Sequence, residues 1–346
     1  MAKYSMGPDG LKVNGVPTIG SGGLLQFTGK HFYVDYVNGS DGNKGTDRNK
    51  PLKTLYKAHS LMTSGKNDVC HVIGDGAATG TVRLSKALAQ EVDSTATTGV
   101  LAWTKDACHI VGECSPTMVG QRARIAPPTG TYTAATFGSA NFITVSGNGC
   151  LFANLSVYHG FSTGGTNQIC WTDSGSRNAY LNVNLQGMAD AASAQNTGSR
   201  TIKFSGGGEH TLIDCALGLD TVTRTVANST VEFSGGTTRI SFLDCIFPFY
   251  GSAATLLAFK VAAASGIDRW ILMDRCKFMN AAGSGSTTIT ALATMAASAG
   301  GLLHFKDCSL VGFTGFGSDA TTRGQIYIEG GTPAAATTGL AVAPTA

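Results

Sequence analysis

The chain has 346 residues, longer than the roughly 250 to 300 at which single compact cores stop growing, so it must split into domains or extend as a repeat. Its 46 glycines beside only 9 prolines exclude a Pro-rich disordered composition, and its 14% of charged residues, against roughly 25% in an ordinary soluble domain, leave much of the surface uncharged. A net charge of +3, dispersed along the chain, excludes the clustered basic face that nucleic acid requires.

Nine cysteines, an odd number with no Cys-x-x-Cys pair, read as buried thiols rather than disulfides. The opening ten residues are polar, and no run approaches the ~20 apolar residues of a membrane span. The expectation is a protein made in a reducing cytoplasm, with neither membrane nor nucleic acid among its partners.

Residues 1–30 hold Leu11-Lys12-Val13-Asn14-Gly15-Val16-Pro17-Thr18-Ile19-Gly20 and further apolar pairs parted by glycines, and read as an extended Gly-rich N-terminal arm. Residues 31–66 read as a strand-plus-helix cap. Pro51 suits a first helical position, and Leu52, Leu55, Tyr56, His59 and Met62 recur at helical spacing. Such a unit would plug a solenoid end that otherwise exposes core and strand edge.

Residues 67–329 carry the decisive signal. A short unit recurs at 152–157, 180–185, 212–217, 242–247, 273–278 and 305–310: an apolar residue, a spacer, usually Asn or Asp, then Cys or an aliphatic residue, a spacer and an apolar residue. Its fourth positions, Leu155, Val183, Cys215, Cys245, Cys276 and Cys308, lie 28, 32, 30, 31 and 32 residues apart, inside the roughly 20 to 50 residue window of solenoids. An alternating run and a glycine turn precede the unit, most clearly at Ile143-Thr144-Val145-Ser146-Gly147 and Ile202-Lys203-Phe204-Ser205-Gly206. Alternation puts Ile202 and Phe204 on one face and Lys203 on the other. Each repeat thus reads as strand, Gly turn, strand, Asx bend, strand and variable loop. The predicted fold is all-β, a right-handed parallel β-helix with three sides and a short N-terminal capping helix. Its early coils fall at 69–73, 100–103 and 108–111, and residues 330–346 form a low-complexity C-terminal tail.

The corner before each Cys or aliphatic position needs a residue tolerant of the left-handed region, which Asn and Asp enter most readily after Gly. Asn154, Asn182, Asp214, Asp244 and Asp307 are therefore expected to stack as a structural bend ladder. Stacked amides can bond along the axis, whereas stacked carboxylates must turn outward or bond backbone amides. Cys215, Cys245, Cys276 and Cys308 follow as an inward thiol file.

The stretch from Phe32 to Met62, with Tyr33-Val34-Asp35, Asn38-Gly39-Ser40-Asp41 and Lys50-Pro51-Leu52-Lys53-Thr54, resembles the opening of pectate-lyase-like right-handed β-helices. It covers about a tenth of the chain. Such openings occur in phage tailspikes, secreted polysaccharide lyases and non-enzymatic virion proteins. Together with the 13–20 segment, the chain resembles structural proteins of tailed bacteriophage virions. The resemblance implies a virion protein, assembled in the host cytoplasm and trimeric.

Several constellations hold residue types suited to chemistry. Asp214, Asp244 and Asp307 are the natural acids for polysaccharide cleavage, but the repeat explains them without it. Arg200-Thr201-Ile202-Lys203 only loosely echoes a lyase motif. Gly160-Phe161-Ser162-Thr163-Gly164 matches the nucleophile-elbow pattern in a Gly-rich solenoid where a turn is expected. Asp35, Asn38, Asp41 and Asn43 could ligate Ca²⁺ but lack the closing acid of a calcium loop, so they read as a hydrogen-bonded turn. Glu209 and His210 could pair as acid and base, yet a core histidine is the simpler reading; Cys108, His109 and Cys114 lack zinc spacing. Trp171 and Trp270 could stack sugars, though Trp171 falls in a strand and reads as core.

The expectation is accordingly a non-enzymatic protein with no catalytic residue, metal or cofactor: a homotrimeric capsid decoration or cement protein, anchored by its N-terminal arm to the major capsid protein or other virion proteins. Low charge and Ala-rich loops at 262–266 and 296–300 motivate it. The alternative is a tailspike or tail-fibre receptor-binding protein with glycan depolymerase activity, which requires exposed aromatics and acids along one face. A secreted pectate-lyase-like enzyme fits less well with nine thiols and a polar start.

Overall fold

In a computed structural model the alternating runs become short parallel strands, each turning apolar side chains inward and polar ones out. The structure describes residues 27–74, 101–127, 141–160, 167–280, 285–296, 299–317 and 326–329, with strand backbone at 4–7, 10–13, 16–19, 81–83, 332–333 and 344–345. The strands stack into a right-handed, three-sided β-solenoid with a short N-terminal helix.

The first sheet stacks Leu101–Trp103, Asn141–Val145, Ile169–Asp173, Arg200–Phe204, Ser229–Phe233, Leu257–Val261 and Ala293–Met295. The second begins at His31–Val34, Asp68–Ile73 and Cys108–Glu113, continues through the first halves of Leu151–Tyr158 and Ala179–Gln186, and then takes Thr211–Ile213, Ile240–Leu243, Trp270–Asp274, Leu302–Lys306 and Ile326–Glu329. The third takes the chain after each bend, ending with Ile246–Gly251, Lys277–Asn280 and Ser309–Val311.

Inside, like residues stack on like. Phe204, Phe233 and Phe259 form one file, with ring centroids 5.7 and 6.3 Å apart, and Phe247 lies over Phe278 at 4.6 Å. Each such fully buried side chain contributes roughly 1.5–3 kcal/mol of transfer free energy. Cys215, Cys245 and Cys276 are fully buried and Cys308 partly so; each thiol donates to a carbonyl in the coil before it, at Tyr180, Leu212, Phe242 and Met273 respectively, over 3.3–3.5 Å.

Two files of left-handed backbone turn the chain. At the corner between the second and third sheets Asn154, Asn182, Asp214, Asp244, Arg275 and Asp307 have φ between 49° and 54°. Asn182 donates its amide to Asn154 Oδ1 at 3.0 Å, and Asn154 in turn donates to the Gly112 and Cys114 carbonyls. The acids turn outward: Asp214 and Asp307 are exposed, and Asp244 is gripped by both arms of Arg275 at 2.8 Å, so a guanidinium replaces one acid in the stack and offsets its repulsion. The second file sits where only glycine turns were expected. Asn67, Ala107, Arg177, Glu209 and Arg239 all have positive φ, and the last three alternate in charge, with Glu209 bonded to Arg177 at 2.7 Å and Arg239 at 3.1 Å. Glycine is obligatory nearby at Gly207, where a Cβ would lie 1.6 Å from the Gly175 carbonyl.

The helix, Leu55–Leu61, begins later than Pro51 suggests. Asp41 accepts the backbone N–H groups of Lys53 and Thr54, and the Thr54 hydroxyl caps Lys57, so the first turn forms only after Thr54. Leu52 is buried but bridges Val34 from outside the helix. The helix packs on the first strands of the first and second sheets. The N-terminal arm is not simply extended: Tyr4–Gly7, Gly10–Val13 and Val16–Ile19 form a three-stranded antiparallel sheet. Asn14-Gly15, between paired Val13 and Val16, is a strong two-residue hairpin signal. In the C-terminal tail, Thr332–Pro333 pairs with Pro344–Thr345.

Candidate functional site

Register decides what the outer surface can do. On the second sheet Thr211, Ser241, Leu272, His304 and Tyr327 stand in one outward row, and Ile213, Leu243, Asp274, Lys306 and Glu329 in the next. Successive strands are ~4.8 Å apart, so each row is a ruler of side chains along the solenoid axis. Over the last three strands the surface becomes aromatic. Trp270 is 39% exposed, Leu302, its register neighbour, 37%, and Tyr327 55%. Tyr327 packs edge-on against His304 with centroids 4.9 Å apart, and His304 Nε2 lies 3.0 Å from Glu329 Oε2.

The Glu329 carboxylate orients the His304 imidazole through Nε2, which leaves Nδ1 on the far side of the ring. Asp274, Lys306 and Glu329 lie in register on three consecutive strands, so two carboxylates flank a cation about two strand spacings, roughly 10 Å, apart. Asp274 also accepts from Arg275 at 3.0 Å. Exposed aromatic planes, a carboxylate-backed imidazole and two separated acids thus share one face.

The residues singled out from sequence scatter around this face rather than forming it. Asp214 and Asp307 are exposed on the bend, and Asp244 is neutralised by Arg275. Arg200 is buried, holding Glu232 at 2.7 Å, with Lys203 3.4 Å from the same carboxylate, on the first sheet. Glu209 points out into its arginine pair while His210 points in and stacks on Phe204, so adjacent positions on opposite faces cannot act as acid and base. Cys108 lies inward near the Thr63 carbonyl, His109 outward beneath Phe27, and Cys114 beside Ala123, without converging. Asp35 and Asp41 accept backbone N–H bonds, and Asn38 and Asn43 donate within the same turn. Trp171 is fully buried, whereas Trp270 is exposed. Residues 161–164 of the nucleophile-elbow pattern lie outside the described residues, as does Val100 of the early coils.

Sequence reasoning missed two constellations. His304 and Glu329 have no shared motif, since Glu329 lies on a strand beyond the last repeat copy. Inside the solenoid, Asp173 is fully buried and accepts from Gly175, Asn178 and, at 2.5 Å, the Tyr180 hydroxyl, which itself accepts from Trp171 at 2.9 Å. Beside Asp173, burial holds the His210 ring below its ordinary pKa.

No protein-family model matches the sequence, and no curated protein does either. Among solved structures the chain is similar to a rhamnogalacturonan lyase, at 14% identity over 88% of this chain and 73% of that one, with a TM-score of 0.56. It is similar also to the pectin methylesterase of Aspergillus niger, at 15% identity over 87% of this chain and 84% of that one, with a TM-score of 0.50. The fold is shared with carbohydrate-active β-solenoids. The resemblance to virion structural proteins therefore narrows to a resemblance of fold, not specific to tailed phages. The expected capsid decoration role is corrected, and with it the expectation of a protein without catalysis: the likeness runs to a lyase and an esterase, and the outer face carries aromatics and an imidazole–carboxylate pair that a cement protein does not require.

Proposed function

We propose that the protein binds an extended glycan along the outward face of the second sheet and cleaves it by acid–base chemistry at His304 and Glu329. The observation that carries this reading is the co-location of exposed Trp270 and Tyr327 with the 3.0 Å His304–Glu329 pair. Sugar rings present apolar C–H faces to aromatic planes and hydroxyls to the polar groups between them, and Trp and Tyr offer both a flat apolar body and a polar edge. The names of the two similar structures, a rhamnogalacturonan lyase and a pectin methylesterase, favour the same substrate class. In the proposed reaction His304 takes the C–H proton beside a uronate carboxyl, a C=C bond forms as the neighbouring C–O bond to the leaving sugar breaks, and the ring returns the proton to that leaving oxygen, while Glu329 orients the ring and Lys306 offsets the negative charge developing on the carboxyl. The finer part of the sequence resemblance fits this as a homotrimeric tailspike or tail-fibre protein that recognises host-surface glycan.

The test is binding to a panel of bacterial surface and plant cell-wall polysaccharides, followed by size analysis of the products. Trp270→Ala is expected to weaken binding about tenfold, roughly 1.4 kcal/mol. His304→Ala and Glu329→Gln are expected to slow cleavage by about 10²–10⁴ while leaving binding largely intact. A wild-type protein that binds none of these polymers defeats the reading, and cleavage that survives both substitutions defeats the assigned chemistry.

A further inference from the structure

His304 stands where two kinds of surface meet. Across the register its neighbours are Leu272 on the strand before and Tyr327 on the strand after, and the same-facing residues of its own strand are Leu302 and Lys306. Strands ~4.8 Å apart, with same-face residues about 6.6 Å apart along each, make all four direct neighbours of the ring on the outer face. On the Lys306 side the surface is charged, with Asp274 and Glu329 in register with the lysine. On the Leu302 side it is apolar. Leu302 is 37% exposed and its register neighbour Trp270 39%, while Leu272, two residues on from Trp270, is half-buried. Half-buried Leu243 and Ile213 carry the apolar surface into the earlier coils, where they occupy the row that Asp274 and Lys306 continue. Single exposed apolar side chains are ordinary on a protein surface, whereas neighbouring ones form a patch that marks a binding surface.

The chemistry of these groups restricts what can lie over them. Trp270 and Tyr327 have polar edges that suit sugar hydroxyls. Leu272 and Leu302 offer neither donor nor acceptor, so a hydroxyl laid on them loses its water without gaining a partner, and a methyl group laid on them leaves water favourably. We propose, on the basis of the glycan reading above, that the sugar beside His304 carries a methyl group, as an O-acetylated or a 6-deoxy sugar does, and that Leu272 and Leu302 select it. Lys306 then meets the uronate carboxyl on one side of the imidazole and the leucines meet the methyl-bearing neighbour on the other. The two contacts together fix the direction in which the glycan crosses His304.

Binding to matched polysaccharides tests this. One pair is an O-acetylated acidic polysaccharide before and after mild alkaline removal of its acetyl groups; the other is a uronate polymer that contains a 6-deoxyhexose beside one that does not. The wild type is expected to prefer the methyl-bearing member of one pair by about tenfold, the discrimination an apolar site makes over one methylene-sized group. The pair that shows the preference identifies the source of the methyl. Leu272→Ser and Leu302→Ser, both on the outer face, are expected to bring that ratio close to one. Equal binding within both pairs, or a preference that survives both leucine substitutions, overturns the inference while the glycan reading stands; binding to none of the four polymers overturns both. Self-association of the wild type that either leucine substitution abolishes in sedimentation also overturns the inference, because the patch is then a contact between copies of this chain.

Discussion

Asn182 shows how much one side chain settles in this chain. Its φ of 52° is costly for any residue with a Cβ, and its amide bonds Asn154 one coil away at 3.0 Å. Asn182→Ala should cost about 2–3 kcal/mol, combining about 1–2 for the left-handed backbone with about 1 for the hydrogen bond. Asn182→Gly, which accepts the backbone freely, should cost close to the hydrogen bond alone. Urea unfolding midpoints of the two variants separate the contributions; equal losses would show that backbone conformation is not what selects Asn there. Arg275 makes the complementary point. It adopts φ 53° without a side chain suited to that region, and its bidentate grip on Asp244 compensates. That grip also holds the Asp244 carboxyl below its ordinary pKa.

At the scale of an element, the thiol file behaves as a packed strand row rather than as chemistry. Burial raises the thiols of Cys70, Cys170, Cys245 and Cys276 well above their ordinary pKa, pushes Cys150 up to about 12 and, with Asp68 adding, Cys108 to about 11. A thiolate is the reactive form, so these positions should be inert while the chain is folded. Ellman's reagent at pH 8 is expected to label promptly no more than Cys114 and Cys308, the two that are not fully buried, and all nine cysteines in urea. Prompt labelling of more than two would mean that the coils open readily at the file. The exposed Ala262, Ala263 and Ala264 belong to a different kind of element, a solvent-facing loop between strands.

For the molecule as a whole, acid is the condition expected to open it. Desolvation, with Lys105 adding, holds His59 at about 4; desolvation also holds His109 at about 4 and His159 at about 3. Each ring is kept neutral when folded but binds a proton near pH 6.5 when unfolded. Their contribution is therefore complete above about pH 6.5 and is lost as pH falls through about 4 and then 3. The melting temperature should fall steadily from pH 7 to pH 4, with unfolding accompanied by proton uptake. A melting temperature flat across that window would mean that these rings do not stay neutral in the fold.

The repeat by itself determined the architecture. Six copies spaced 28–32 residues apart, with alternation of period two and an Asx residue at the corner, specify local conformation that each coil reproduces independently. The candidate site was not legible in that pattern, because it depends on which residues of different coils stand side by side. The strand registers bring Trp270 to Leu302, His304 to Tyr327 and Lys306 to Glu329. The same stacking carries His31 to His71, forty positions away, and encloses Asp173 with Tyr180 and His210. Composition could not separate a cement protein from a glycan-acting one, since low charge suits both kinds of surface. Only tertiary structure brings the candidate groups together, because chemistry needs groups within about 3 Å of one another, and in a solenoid that proximity is made between coils rather than along the chain.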